Sequence, residues 1–194
     1  MEAVDTLAIG FIDDELISIE LEDGGIFKVQ RAALCHASEY FCVALRGNFQ
    51  EANSKKLRLP DCTTVSFKLI LFWIFNCKLP DLSAHHQLTL AKLWTTGDML
   101  LMRGLQNEAM RHLRTILLSY TVDIKAITWA FDFTPLESPL RRAAERCLGS
   151  IPGLMQALFA VGKREILNDH YHMKIAITRD EDSKFEFRPL AKDN

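Results

Sequence analysis

One apolar stretch in the middle of the chain, residues 63–77, constrains the fold more than any other segment. Between residues 67 and 75 every side chain except Lys68 is apolar. Periodicity alone cannot distinguish a buried strand from a buried helix in such a run. Because Thr63 supplies an N-cap hydroxyl and no Gly or Pro follows until Pro80, the stretch predicts a helix of about four turns. A helix that is apolar all round is expected to be covered on nearly every side.

A membrane span is the alternative interpretation of this stretch. A helical span requires about 20 apolar residues, whereas this run is interrupted by Lys68 and is followed by Asn76-Cys77-Lys78. We therefore predict that it forms the central helix of a water-soluble core. A chain of 194 residues is long enough to bury such a core in one domain with a helical extension.

Charge and cysteine content argue against several functional classes. The formal net charge is -2, from 23 basic and 25 acidic residues, so the basic surface typical of nucleic-acid binding is not expected. The five cysteines are odd in number and include no CxxC pair, which favours free thiols over a disulfide framework or a zinc site. The first residues lack a secretory signal pattern, and we expect the protein in the cytosol, the nucleus or both.

The residues before the central stretch predict a small sheet with short helices. Residues 16–21 and 26–29 are rich in apolar and β-branched side chains and flank a glycine-containing turn, which indicates a β-hairpin. A helical turn over residues 31–35 follows, and Ser38 can cap the next helix. Residues 56–59 alternate between polar and apolar side chains and predict a third strand.

The residues after the central stretch predict mainly helices. Apolar side chains recur at helical spacing within residues 90–101 and 105–116, with Gly97 as a weak point or a place of close packing. Further helical stripes occupy residues 119–168. The tail, residues 169–194, alternates in polarity on both sides of a charged turn and predicts a β-hairpin.

No catalytic or metal-binding motif stands out. The chain contains no P-loop, GxGxxG, GxSxG or HExxH sequence. His170 and His172 follow Asp169, but further metal ligands have no obvious source, and exposed strand residues are the simpler interpretation. Cys35-His36 forms a nucleophile–base pair only if folding aims both side chains at one point, and a buried thiol beside a helix-end histidine is simpler. We expect no cofactor, no metal and no enzymatic activity, with an unrecognised enzyme as a distant alternative.

Several segments, in a fixed order, resemble BTB/POZ domains, most closely the divergent BTB proteins common in filamentous fungi. The resemblance covers about residues 13–118, and Gln30 and Gly97 depart from it where the family usually has His and Ala. The similar segments are the Phe-x-Val strand and the following Leu within residues 25–34, Ser38-x-x-Phe41, Phe49-x-Glu51, the strand at 57–61, the buried helix at 67–75 and the helical pair within 90–107.

The resemblance implies an α+β fold. A three-stranded sheet flanked by about five helices is expected in residues 13–118, after an N-terminal segment of residues 1–12. Such proteins often carry extra helices after the domain, which agrees with a helical extension over residues 119–168. The predicted hairpin of residues 169–194 then forms a separate tail.

The resemblance also implies a non-catalytic module that self-associates or recruits protein partners. The charge balance and the length of the apolar run already argue against a nucleic-acid or membrane partner. Many such domains are substrate adaptors for cullin-RING ubiquitin ligases, in which an apolar-x-Glu motif contacts the cullin and a following helical pair widens the contact. Phe49 and Glu51 match that motif, and the simpler alternative places Phe49 in the core and Glu51 in a loop. Self-association through an exchanged N-terminal strand involves Leu7, Ile9 and Phe11.

Overall fold

The computed structural model describes residues 15–46, 50–83, 86–117, 122–150, 153–160 and 162. Within these ranges the elements, in chain order, are β1 (Leu16–Leu21), β2 (Ile26–Gln30), α1 (Arg31–Ala37), α2 (Glu39–Ala44), α3 (Gln50–Ser54), β3 (Lys56–Leu59), α4 (Thr64–Asn76), α5 (Gln87–Met99), α6 (Arg103–Leu117), α7 (Ile124–Phe133), α8 (Pro139–Ser150) and α9 (Leu154–Ala160). The predicted α+β class is confirmed. The predicted N-terminal segment and tail hairpin lie outside the described residues.

The three strands form one sheet in the order β2-β1-β3. β1 runs antiparallel to β2 and parallel to β3, with Ile19 opposite both Phe27 and Leu57. Gly24, at φ +79°, takes the left-handed backbone that the hairpin turn requires and that glycine adopts without steric cost. Alternate residues of β1 and β3 point into the core, and Ile19 and Leu57 are both buried.

The central apolar stretch is helix α4, as the sequence predicts. The Thr63 hydroxyl accepts a hydrogen bond from the Ser66 N–H at 3.3 Å, which caps the helix start. At the other end Cys77 adopts a left-handed conformation, with φ 54°, and terminates the helix. Phe67 is fully buried, and its ring packs on Phe27 of β2 with centroids 5.1 Å apart. The helix therefore anchors the sheet to the helical layer.

One side of α4 is exposed, so the prediction that neighbours cover the helix on nearly every side is wrong. Val65, Phe72 and Phe75 are 55%, 39% and 63% exposed, and with exposed Lys68 they recur at intervals of three and four residues along one side of the helix. The cause is the arrangement of neighbours, because α1 and α5 both pack against α4 and leave this side to solvent. We call these four residues the α4 face.

Hydrogen bonds join the turn of the hairpin to the start of α4. The Asp23 carboxylate accepts hydrogen bonds from the Thr64 N–H and the Thr64 hydroxyl, each at 2.8 Å. These bonds hold the pKa of the Asp23 carboxyl below its ordinary value, and the bond from the backbone N–H has the largest effect. A carboxylate at a helix start is also favoured by the helix dipole.

The helices after the sheet pack in pairs. Gly97 of α5 allows the close approach of α6, since a Cβ there would lie 3.0 Å from Cγ of Gln106. α7 rests on α5, where the Trp129 indole N–H donates to the Thr95 hydroxyl at 3.2 Å. α8 packs against α7, and the buried residues of both helices belong to the same core as the sheet. Among the described helices, none has both the length and the apolar character that a membrane crossing requires.

Candidate functional site

A groove of about 360 Å³ opens between α2, α3, β3 and the turn that joins α5 to α6. Its lining is mainly apolar, with acidic side chains from two of the helices. The lining residues are Glu39, Tyr40, Val43, Ala44, Glu51, Leu57 and Leu101. Groups from such distant parts of the chain come together only in the folded protein.

Helix α2 forms the first wall, and Ser38 fixes its position. The buried Ser38 hydroxyl accepts a hydrogen bond from the Phe41 N–H at 3.2 Å, which caps α2 as the sequence predicts. The same hydroxyl donates to the Leu100 carbonyl in the α5–α6 turn. Phe41 is fully buried, whereas Val43, two residues further on, is 58% exposed. One side chain therefore links the two walls of the groove, and α2 presents an apolar residue to solvent between them.

The α5–α6 turn forms the opposite wall and presents Leu101. Its neighbours Leu100 and Met102 are 0% and 1% exposed, but Leu101 is 58% exposed. Its backbone is left-handed, with φ 55°, a conformation that costs a residue with a Cβ roughly 1–2 kcal/mol. The sequence predicts a helix through residue 101, and that prediction is wrong, because α5 ends in a capping turn that requires a left-handed residue at position 101. In this turn the Met102 N–H donates to the Gly97 carbonyl at 2.8 Å, and the Leu101 N–H donates to the Asp98 carbonyl at 3.0 Å. The end of α5 therefore leaves an apolar side chain exposed on this wall of the groove.

Helix α3 supplies the acidic rim of the groove. Glu51 lies in its first turn and is exposed. α3 is followed by Lys55, whose ammonium group pairs with the Glu15 carboxylate at 2.7 Å and ties this end of α3 to the start of β1. Glu39, at the start of α2, is the other acid in the lining. The rim of an otherwise apolar groove therefore carries negative charge.

The structure places only part of the predicted site. Glu51 lines the groove, whereas Phe49 and the self-association residues Leu7, Ile9 and Phe11 lie outside the described residues. Sequence reasoning misses the two exposed apolar residues of the walls. It also misses α3, where the sequence predicts a loop.

Metal ligation has no support in the described part of the chain, where no group of three or more His, Cys, Asp and Glu side chains is placed to hold a metal ion. His170 and His172 with Asp169, the weak candidate set in the sequence, lie outside the described residues. What the groove offers is an apolar surface with acids at its edge. Such a surface can bind a protein segment by burying its apolar side chains.

Comparison with known families identifies the fold. Residues 16–117, more than half of the chain, match the BTB/POZ domain, a protein-interaction family. The matched segment begins at the first residue of β1 and ends at the last residue of α6, and all residues that line the groove fall within it. A comparison with curated proteins gives no match. The chain therefore belongs to the BTB/POZ domain family.

Proposed function

We propose that this BTB/POZ protein recruits a partner protein through the groove between α2, α3 and the α5–α6 turn, and that it acts as an adaptor with no catalysis of its own. The observation that carries the proposal is the pair Val43 and Leu101. Each is 58% exposed and both line one groove. Exposed apolar side chains at the walls of a groove can bind apolar side chains of a partner.

The groove suits an amphipathic helix that carries basic residues beside its apolar face. Insertion of an apolar helix face into a hydrophobic groove is a recurrent mode of peptide recognition. Glu39 and Glu51 at the rim would pair with Lys or Arg on the partner, and such complementarity fixes orientation and speeds association. We therefore expect the contact to weaken as salt concentration rises.

A cullin-type scaffold is the specific partner that we favour. Glu51 stands at the position of the acid in the apolar-x-Glu motif that the sequence resembles, and it lines the groove. Helices α7 and α8 pack as a pair after the matched domain, where a following helical pair widens the contact in cullin adaptors. The protein would then be a substrate adaptor for a cullin-RING ubiquitin ligase.

Capture of a cullin N-terminal domain by the purified full chain, followed by titration calorimetry, tests this assignment. We expect Glu51→Lys to abolish capture and Val43→Glu to weaken it at least about tenfold, because each places an unfavourable charge in the interface. Val65→Glu is the matched control, since Val65 is 55% exposed but lies on the α4 face. If the wild-type chain fails to bind, or if Val65→Glu and Val43→Glu weaken binding equally, the cullin assignment or the groove as its site is wrong.

Self-association is the second candidate function, and the α4 face supports it. Three apolar side chains in line on one helix, Val65, Phe72 and Phe75, offer a surface that a second copy can cover by an isologous contact. Under this hypothesis light scattering detects a dimer that persists in Glu51→Lys and dissociates in Phe75→Glu. Dissociation on deletion of residues 1–12 would instead favour an exchanged N-terminal strand. A monomer at micromolar concentration would exclude both forms.

A further inference from the structure

Helices α1 and α2 fold back on each other around a single residue. Ser38 joins them with an extended backbone, at φ -150° and ψ 127°. The Arg31 guanidinium, at the start of α1, donates a hydrogen bond to the Leu45 carbonyl at the end of α2. These groups stand seven residues before and seven residues after Ser38. Residues one helical turn from Arg31 and from Leu45, on the same sides of α1 and α2, therefore face each other.

Two cysteines occupy such facing positions. Cys35 precedes Ser38 by three residues and Cys42 follows it by four, the two helices pack on each other, and the neighbouring Cys42 thiol raises the pKa of the Cys35 thiol. Both side chains are partly exposed, whereas Cys62 and Cys147 are buried. A small reagent can therefore reach this pair while the protein stays folded.

The protonation of Cys35 affects how fast the pair can be oxidised. Burial, followed by the neighbouring Cys42 thiol, raises the pKa of the Cys35 thiol, against smaller opposing effects of Arg31 and Arg46. A protonated thiol reacts slowly with peroxide, because the thiolate is the nucleophile. Its reduced state also lacks the thiolate stabilisation that makes some protein disulfides easy to reduce. Exchange with a disulfide also requires the thiolate, so we expect the cross-link to form slowly at neutral pH and to persist once formed.

We propose that Cys35 and Cys42 form a reversible disulfide that cross-links α1 to α2, with a low-molecular-weight disulfide such as oxidised glutathione as the oxidant. The thiolate of one cysteine attacks a glutathione sulfur, forms a mixed disulfide and expels one glutathione thiolate. The thiolate of the second cysteine attacks the protein sulfur of that mixed disulfide and expels the other. Two cysteine thiols are oxidised, one glutathione disulfide is reduced, and the two protons pass to the two glutathione thiolates.

The cross-link acts on the partner-binding groove through α2. In a disulfide the two sulfur atoms lie about 2.05 Å apart, closer than two unbonded thiols can approach, so oxidation draws α2 toward α1. The residues of α2 that line the groove are Glu39, Tyr40, Val43 and Ala44. The effect of oxidation on partner binding rests on the proposed function, but the disulfide itself does not.

The test is equilibration of the full-length chain in glutathione buffers of increasing oxidised fraction, followed by acid quench, alkylation and peptide mapping by mass spectrometry. We expect the loss of two alkylatable thiols per chain and a linked peptide pair containing Cys35 and Cys42, reversed by excess reduced glutathione. Cys35→Ser and Cys42→Ser each prevent the linkage. Cys77→Ser, which alters the exposed thiol at the end of α4, leaves it unchanged.

Two outcomes would overturn the proposal. One is complete alkylation of Cys35 and Cys42 in the most oxidising buffer, and the other is accumulation of glutathione mixed disulfides without a protein cross-link. Both are read on the wild-type chain, so they do not depend on whether a serine variant folds. Hydrogen exchange provides a second measurement, since amides of residues 39–45 should exchange several-fold more slowly in the oxidised form. A disulfide that forms in a chain that captures no cullin would leave this proposal intact and refute the cullin assignment.

Discussion

Substitution of Ser38 by alanine removes two hydrogen bonds that hold the groove together. The buried hydroxyl is 3% exposed, caps α2 at the Phe41 N–H and donates to the Leu100 carbonyl. Loss of a helix cap costs about 1 kcal/mol. Leaving the Leu100 carbonyl without this donor in a buried setting costs about 1–3 kcal/mol more. Ser38→Ala should therefore lower the free energy of unfolding by about 2–4 kcal/mol.

Urea and thermal unfolding followed by circular dichroism measure this loss. For a chain of this size the expected decrease in the thermal midpoint is roughly 4–16 °C. Thr63→Ala is the matched comparison, because Thr63 caps α4 from a half-buried position, and its loss should cost about 1 kcal/mol. Ser54→Ala, at an exposed site, should change the stability by less than about 0.5 kcal/mol. If Ser38→Ala is no more damaging than Thr63→Ala, the bond to Leu100 contributes nothing and the reasoning fails.

Further predictions concern α4 and a charge on α6. Phe67→Ala should lower the free energy of unfolding by about 3–5 kcal/mol, because Phe67 is fully buried. Phe75→Ala should lower it by about 1 kcal/mol or less, because Phe75 is 63% exposed. Equal losses of stability in urea unfolding would mean that the α4 face is covered. A hydrogen bond from Arg111 lowers the pKa of the Glu108 carboxyl from 4.5 to about 2. Its ionised form therefore stabilises the fold above about pH 4.5, and this contribution disappears as the pH falls toward about 2. Glu108→Gln should be less stable than wild type at pH 7, and the urea midpoints should converge in acid; a constant difference would contradict the pKa assignment.

The elements of the sheet and the central helix could be predicted because their ends carry strong local signals. The hydroxyls of Thr63 and Ser38 cap α4 and α2, and the glycine-containing turn fixes the hairpin. Alternation alone identifies the strand at residues 56–59. These signals act over a few residues and do not depend on the rest of the fold.

The exposed faces could not be predicted, because the exposure of a side chain depends on which other elements pack against its helix. An all-apolar run has no polar side to indicate where solvent lies, so nothing in the sequence singles out Phe75 for exposure. α3 has five residues and is too short to show the helical repeat of apolar side chains. Leu101 carries no sign of a left-handed turn, since glycine usually occupies such positions. Glu51 could be predicted only because the sequence resembles a family in which an acid at that position contacts a partner.

The order of strands in the sheet has a consequence for synthesis of the chain. β1 is the middle strand, yet it precedes both of its partners and all of the helices described here. As the polypeptide leaves the ribosome, β2 is the first partner available to β1, and the resulting hairpin is only marginally stable alone. The other edge of β1 stays open until residue 59 has emerged. Ile17, Ile19 and Val29, which the finished protein buries, meanwhile face water, because α4 is translated later still. Nascent-chain chaperones should therefore engage this hairpin and release it once α4 has been translated.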